Sequence, residues 1–299
     1  MKNNQFIVDS SRGETTKSFS ILCPSRGRPK SLKRLFESIK RTTSDIAEIE
    51  VLVYIDDDDS ITLMEDFSEY QFVRFFVGPR IWMSLAQNVL FALSSGKILM
   101  ACADDFVFKT NGWDFVVQRV FGEKSDVFWL IYGNDLGVHA GKIPTHFFIH
   151  RSWPITLGYW VHPGRASLWD LWVRDIAIEL GRLHYLEQVV FEHLNFRQTT
   201  SSDAVVDSTT MEITNTQKSF RPKETYQLLS RERRIDIVLL AQTIQIKPPW
   251  KFKYIFSHLI FRFRSKSLDF ASQRRLLTLT NQEILKSGFF KILRRFRLR

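Results

Sequence analysis

Three clusters of polar and charged residues each follow directly after an apolar run of the sequence. Residues 24–26 (PSR) follow the run FSILC, and the four aspartates at 56–59 follow EIEVLVYI. Asp104 and Asp105 follow KILMACA and precede a second apolar run, FVF. Adjacent carboxylates at the end of a buried strand either form a solvated turn or face a positive group, because two like charges disfavour each other's ionisation.

The apolar patterns around these clusters alternate between strand and helix. Strands are predicted at residues 19–25, 48–55, 71–78, 97–103, 126–133 and 184–194. Helices are predicted from Pro29 through Ile39, at 61–70, at 83–95 with Gly96 as its C-cap, and near 113–121, 167–183 and 222–244. This alternation predicts an α/β fold with a mostly parallel sheet flanked by helices.

The predicted sheet brings the three clusters together. In a parallel sheet the carboxyl ends of the strands converge at one edge, and ligands bind beyond that edge. Cationic and anionic side chains collected there suit a metal-bound, phosphate-bearing ligand.

Cysteine usage and hydropathy point to an intracellular protein. Cys23 and Cys102 lie inside apolar strand-like runs, which predicts buried thiols in a reducing compartment. The first 20 residues are polar and lack the apolar core of a signal peptide. No apolar stretch approaches the roughly 18 residues that a membrane-spanning helix needs. We therefore expect a cytoplasmic protein.

The excess positive charge lies in the last part of the chain. Residues 247–299 hold 14 Lys and Arg but 2 Asp and Glu, which leaves 28 and 30 for residues 1–246. Residues 286–299 place Phe289, Ile292 and Phe296 at helical spacing among arginines, a pattern typical of a helix on an anionic membrane surface. Packing on the rest of the protein is the alternative. The near-neutral remainder argues against a nucleic-acid partner.

The order and spacing of the motifs resemble the GT-A fold of nucleotide-sugar-dependent glycosyltransferases, most like the bacterial family 2 type. The resemblance covers about residues 18–196. It rests on CPSRGRPKSLKRLFESI, VLVYIDDDD, AQNVLFALSSGKILMACADDFVF, GWDF and the helix that carries Asp170. It implies a Rossmann-like domain that transfers a sugar from a nucleotide-diphosphate donor, expected to be a UDP-sugar, to a glycan or lipid-linked acceptor.

The resemblance also implies which residues hold the donor. The donor-binding residues would be Pro24, Ser25, Arg26, Asp56, Asn88 and Asp104. Of these, residues 24–26 would lie against the nucleotide, Asp56 would recognise the base and Asn88 would lie beneath the nucleotide-sugar. Arg28 lies two residues further on, and contact with the nucleotide is favoured over a plain surface charge.

A divalent cation and a catalytic base complete the implied site. Asp104 and Asp105 match the acidic metal motif, although its first acidic position is Ala103 or Cys102 here. With His193 as a third ligand they would hold Mn²⁺ or Mg²⁺, which neutralises a departing diphosphate. Asp170 matches the base that accepts the acceptor's proton in inverting members.

The resulting interpretation is a metal-dependent, inverting transferase in surface polysaccharide biosynthesis, bound peripherally to the inner face of the cell membrane. The predicted divisions are a polar lead-in (1–17), a GT-A domain (18–197), a flexible connector (198–221) and a helical, basic C-terminal region (222–299). Two alternatives stay open. One is a GT-A-like binding protein without catalysis, which the incomplete acidic motif favours. The other is a nucleotidyltransferase. The segment PSRGRPK argues against it, because this segment is not a glycine-rich phosphate loop.

Overall fold

The computed structural model describes residues 17–162, 168–194 and 229–247, together with residues 211, 226 and 227. The strands are β1 (Lys17–Ser25), β2 (Ile49–Asp56), β3 (Val73–Gly78), β4 (Gly96–Ala101), β5 (Phe106–Phe108), β6 (Leu130–Asn134), β7 (Phe147–His150) and β8 (Leu183–His193). The helices are α1 (Pro29–Thr42), α2 (Ser60–Leu63), α3 (Met83–Leu93), α4 (Trp113–Glu123), α5 (Ser152–Leu157), α6 (Trp169–Glu179) and α7 (Ser230–Thr243), with a 3₁₀ turn at Ile46–Glu48.

The eight strands form one sheet in the order β3-β2-β1-β4-β7-β6-β8-β5. The first four in this order pair in parallel, and β6 pairs in parallel with β8. β7 is antiparallel to both of its neighbours, and β5 is antiparallel to β8. The mostly parallel α/β sheet predicted from the sequence is confirmed.

The two antiparallel strands are the part of the sheet that the sequence did not predict. No helix lies between β6 and β7, and a helix is the usual crossover between parallel neighbours. β7 therefore runs back beside β6, pairing Tyr132 with Phe147. β5 is three residues long, too short to show a period of its own.

The core forms where the apolar periodicity of the sequence predicts it. β2 is buried along its whole length, as expected for a central parallel strand covered on both faces. α1 begins with Pro29 in its first turn and buries Leu32, Leu35, Phe36 and Ile39 on one face. Cys23 and Cys102 are buried free thiols, as predicted.

Several predicted boundaries are wrong, each for a local reason. The helix predicted at 61–70 is a single turn, because Phe67 and Tyr70 instead pack edge-on against Phe36 of α1. α3 ends at a C-cap formed by Ser94, and Gly96 begins β4 rather than capping the helix. The strand predicted at 126–133 begins at Leu130.

A further helix is shorter than predicted, since the helix predicted at 167–183 spans Trp169–Glu179. Of the helix predicted around 222–244, Ser230–Thr243 forms α7 and residues 226 and 227 are also helical, while 222–225 and 228 lie outside the described residues. The lead-in, most of the connector and the basic tail lie outside the described residues, so their predicted roles stay predictions. The chain divides into two compact units between Leu229 and Ser230. None of the described helices combines the length and hydropathy needed to cross a membrane.

Gly96 provides a test of the contact between β1 and β4, the strands that precede two of the charged clusters. A Cβ atom at residue 96 would lie 2.4 Å from the backbone nitrogen of Ser20. Gly96→Ala should therefore lower the free energy of unfolding by at least about 2 kcal/mol, measured by urea denaturation, because backbone must move to admit the methyl group.

Gly122→Ala is the matched control. No atom lies within 4 Å of a Cβ at residue 122, which is in α4. Its stability should stay within about 1 kcal/mol of the wild type, with any change in the stabilising direction. Equal losses for the two variants would contradict the close approach of β1 and β4.

Candidate nucleotide-sugar site

The carboxyl ends of β1, β2 and β4 lie side by side at one edge of the sheet. β1 pairs with both neighbours, Ser25 with Ile55 on one side and Leu22 with Ala101 on the other. The turn that follows β4 carries Asp104 and Asp105, which are buried. The three clusters therefore meet at this edge, as the predicted parallel sheet requires.

Arg26 binds the acidic segment that follows β2. Its Nη1 lies 2.9 Å from Oδ2 of Asp56, and its guanidinium also forms a two-pronged ion pair with Asp58. Burial raises the pKa of the Asp56 carboxyl, while the hydrogen bond from Arg26 opposes that shift. The same guanidinium lowers the pKa of the exposed Asp58. Both carboxylates are thereby linked to the loop between β1 and α1.

Asp59 has a structural role at this edge. It is 5% exposed, and its Oδ2 accepts a hydrogen bond of 2.7 Å from the backbone N–H of Gly27. Its other oxygen caps α2 by accepting from the N–H of Thr62. Gly27 has φ of +67°, a conformation that favours glycine. Asp59 therefore holds the loop that carries the two arginines.

Asp104 binds both a hydroxyl and a guanidinium. Ser25 donates to Oδ2 at 2.7 Å, and Nη1 of Arg28 lies 2.9 Å from Oδ1. The Asp104 and Arg28 side chains are 6% and 9% exposed, so the ion pair is buried. Burial raises the pKa of Asp104 to about 6, and the charge of Arg28 limits the rise.

Asp105 meets the end of β8. Nε2 of His193 lies 3.3 Å from its Oδ1, and the N–H of Leu194 donates to its backbone carbonyl at 2.8 Å. Burial alone would raise the pKa of Asp105, but the contact with His193 holds it below its usual value. The antiparallel pairing of Phe106 with His193 sets this contact.

The described residues do not present a ready set of metal ligands. No group of three or more His, Cys, Asp or Glu side chains that could hold a metal ion occurs among them. Both oxygens of Asp104 already accept a hydrogen bond, one from Ser25 and one from Arg28. The metal-binding roles predicted for Asp104, Asp105 and His193 stay predictions.

Asn88 links two segments of the protein. Its amide nitrogen donates to the carbonyls of Ser84 and Val161 at 2.7 Å each, and its oxygen accepts from the N–H of Trp160 at 2.8 Å. These contacts join α3 to the segment after α5. Its predicted place beneath a nucleotide-sugar stays a prediction.

Asp170 lies in the first turn of α6, as predicted, and its Oδ1 accepts from the N–H of Leu171 at 2.8 Å. The preceding Trp169 packs against Phe147, with ring centroids 5.1 Å apart. Phe147 begins β7 beside the end of β4, because Phe148 pairs with Met100. The start of α6 therefore lies toward the same edge of the sheet.

Sequence reasoning did not assign His146 a place beside His193. This side chain is 7% exposed, its ring centroid lies 4.6 Å from that of His193, and its Nδ1 lies 3.2 Å from the carbonyl of Ala101. Burial lowers the pKa of His146 to about 3. Only its place in a region dense in aromatic and histidine residues marked it in the sequence.

The strand order and the layers of helices define a GT-A-type fold. Solved structures of Staphylococcus aureus TarS, a GT-A family 2-like glycosyltransferase, share it. TarS 1–349 in complex with UDP-GlcNAc matches 73% of this chain and 66% of that chain, with a TM-score of 0.51 and 12% identity. TarS 1–349 in complex with UDP matches 59% of this chain with a TM-score of 0.48 and 13% identity.

This chain spans about 60% of the length of TarS 1–349 in the UDP complex. No family model matches the sequence, and no curated protein does so either. The likeness therefore establishes the fold, and the chemistry has to be argued from the side chains at the strand ends.

The buried His146 predicts a pH dependence of stability. Because its pKa is lower in the folded protein than in the unfolded chain, the unfolded chain binds more protons below about pH 6.5. Stability should therefore fall on acidification, by about 2 kcal/mol from this group between pH 7 and pH 5. Urea denaturation at a series of pH values should show this slope, reduced by that amount in His146→Gln.

His139→Gln is the control, because His139 is exposed in the fold. It should keep the slope of the wild type. A His146→Gln variant with an unchanged slope would show that His146 is not buried as a neutral ring.

Proposed function

We propose that this protein is a glycosyltransferase that moves a sugar from a nucleotide-diphosphate donor to a hydroxyl group of a glycan or glycolipid. One observation carries the proposal. The loop between β1 and α1 brings Arg26 onto Asp56 and Arg28 onto Asp104, at the carboxyl edge of a GT-A-type sheet. Carboxylates and guanidiniums together suit a ligand with a hydrogen-bonding base at one end and phosphates at the other.

The proposed donor is a UDP-sugar, and each end of it has candidate partners. Asp56 is 8% exposed at the end of β2, where a carboxylate can accept from the N–H of a base. Pro24, Ser25 and Arg26 would line the nucleotide, as the family resemblance implies. The TarS structure with UDP-GlcNAc supports a donor of this class for the shared fold.

Asp170 is the proposed base. It lies in the first turn of α6, whose N-terminal dipole favours the ionised carboxylate that must accept a proton. The packing of Trp169 on Phe147 supports its place near the donor edge. A single carboxylate that takes the acceptor's proton opposite the leaving group corresponds to inversion at the anomeric carbon.

The acceptor and the location of the protein also form part of the proposal. A surface polysaccharide or glycolipid acceptor, with the basic tail held on the inner face of the membrane, is consistent with the charge pattern of residues 247–299. The divalent cation expected from the sequence is a separate question, because Arg28 forms an ion pair with Asp104, one of the predicted metal ligands.

A donor panel tests the proposed function. The melting temperature of the full chain is measured with UDP-, GDP-, dTDP- and CMP-sugars, each with Mn²⁺ and with EDTA. A donor at about 100 times its dissociation constant should stabilise the folded state by about 2.7 kcal/mol, a rise of several degrees. No shift with any donor in either condition would contradict the proposal.

Asp170→Asn separates catalysis from binding. The variant should keep the donor-induced shift and lose about 10²- to 10⁴-fold of the rate of transfer or donor hydrolysis, because the general base is gone. Glu179→Gln, at the exposed end of the same helix, is the control and should keep the wild-type rate. Donor binding without turnover in the wild type would instead indicate a GT-A-like binding protein.

A further inference from the structure

The contact between Arg28 and Asp104 is the least expected feature of the candidate site. Nη1 of Arg28 lies 2.9 Å from Oδ1 of Asp104, and both side chains are at least nine-tenths buried. Removing two charges from water is costly, and the attraction between them offsets the cost only in good geometry with further hydrogen bonds. Ser25 supplies one such bond to the second oxygen of Asp104.

Three other carboxylates at this edge also contact a basic side chain of the chain. Asp56 and Asp58 share Arg26, and Asp105 contacts His193. Asp104, the carboxylate predicted to hold the ion, is therefore already paired with a guanidinium. The described residues offer no group of three metal-ligating side chains, and the donor set does not fit a resident Mn²⁺ or Mg²⁺.

The Arg28 guanidinium can supply the positive charge that a divalent cation would otherwise bring to the diphosphate. A guanidinium carries five N–H donors, enough to bind a carboxylate and a phosphate oxygen at the same time. Its planar fork matches phosphate, and it stays ionised even when buried. Asp104 and Ser25 fix the orientation of the Arg28 side chain in the absence of any ligand.

We propose that Arg28 neutralises the leaving diphosphate of the donor, in the role expected of a divalent cation, with Asp104 and Ser25 as its positioning residues. This inference rests on the proposed transfer function. In the step, the bond between the anomeric carbon and the diphosphate oxygen breaks, and its electron pair stays on that oxygen beside Arg28. The acceptor oxygen forms the new bond to the anomeric carbon, and its proton passes to Asp170.

The two sources of positive charge predict opposite effects for two variants. If Arg28 binds the diphosphate, Arg28→Gln loses nucleotide binding with or without a metal ion, and Asp104→Asn weakens it less because Arg28 keeps its charge. If a cation on Asp104 binds the diphosphate, Asp104→Asn loses binding and Arg28→Gln keeps it, because the carboxylate is then open to the ion.

Calorimetric titration of UDP into the full chain separates these cases. The wild type should bind UDP with the same affinity, within about twofold, in EDTA and in Mn²⁺. Arg28→Gln should weaken UDP binding about 10- to 100-fold in both conditions, the range expected for a charge-assisted hydrogen bond. Arg28→Lys should recover part of the loss, since it keeps the charge without the fork. Asp104→Asn should weaken UDP binding less than Arg28→Gln does, and equally in EDTA and in Mn²⁺, because Arg28 keeps its charge but loses one of its two positioning contacts.

Two further measurements keep the result interpretable. Arg28→Gln leaves a buried carboxylate without its cation and could fail to fold, so the double variant Arg28→Gln/Asp104→Asn, which removes both charges, should show the same loss of UDP binding. Arg119→Gln, an identical change on an exposed face of α4, should bind UDP as the wild type does. Electron paramagnetic resonance should show no Mn²⁺ bound to the protein in the absence of UDP, which itself chelates the ion.

The outcomes distinguish this inference from the proposed function. UDP binding that requires Mn²⁺, or that survives Arg28→Gln in EDTA, overturns the role of Arg28 and leaves the transferase proposal standing. A wild-type protein that binds no UDP and none of the nucleotide-sugars of the donor panel, in Mn²⁺ and in EDTA alike, overturns the proposed function and this inference with it.

Discussion

Two arginines of one short loop neutralise carboxylates that follow two different strands, and the candidate site depends on this neutralisation. Arg26 holds Asp56 at the end of β2, and Arg28 holds Asp104 after β4. The loop itself follows β1, the strand between them. Without these ion pairs, the chain would leave carboxylates at least partly removed from water with no compensating charge, which costs several kcal/mol for each group. The loop, the two strand ends and the charges therefore form one unit.

The sheet, rather than the loop, sets the distances within that unit. Parallel pairing of β1 with both β2 and β4 fixes the spacing of the three strand ends, and the close approach at Gly96 leaves little freedom between β1 and β4. Antiparallel β5 then turns the chain back so that Asp105 meets His193 at the end of β8. Residues separated by almost 90 positions in the sequence thus meet because two short ladders bring them together.

The sequence predicts the parts of this arrangement that follow from periodicity. The buried face of α1 and the central strands show clear apolar patterns, and the convergence of residues 24–26, Asp56 and Asp104 at one edge follows from parallel pairing. The antiparallel β7 was not predicted, because its direction depends on a connection without a helix rather than on its own four residues.

The partner of each charged side chain could not be predicted either, because it depends on the folded chain rather than on the local sequence. The run at 56–59 contains four chemically identical residues, yet one caps α2, two bind Arg26 and the fourth has neither role among the contacts described. Which aspartate takes which role depends on the φ of Gly27 and on the turn after β2, and neither leaves a mark in composition. The preference of Asp104 for Arg28 is likewise a property of the folded chain alone.

The buried amide of Gln87 in α3 connects β1 to the segment that precedes α6. Gln87 is 2% exposed, donates to the carbonyl of Leu22 in β1 at 3.2 Å and accepts from the indole N–H of Trp160 at 2.9 Å. The Trp160 ring in turn contacts Trp169, one residue before Asp170. A buried amide that bonds on both sides is costly to strain, since either broken bond leaves an unsatisfied polar group. This chain of contacts therefore ties the start of α6 to the strand that carries Ser25, so the proposed base is held relative to the donor by the core rather than by a surface loop.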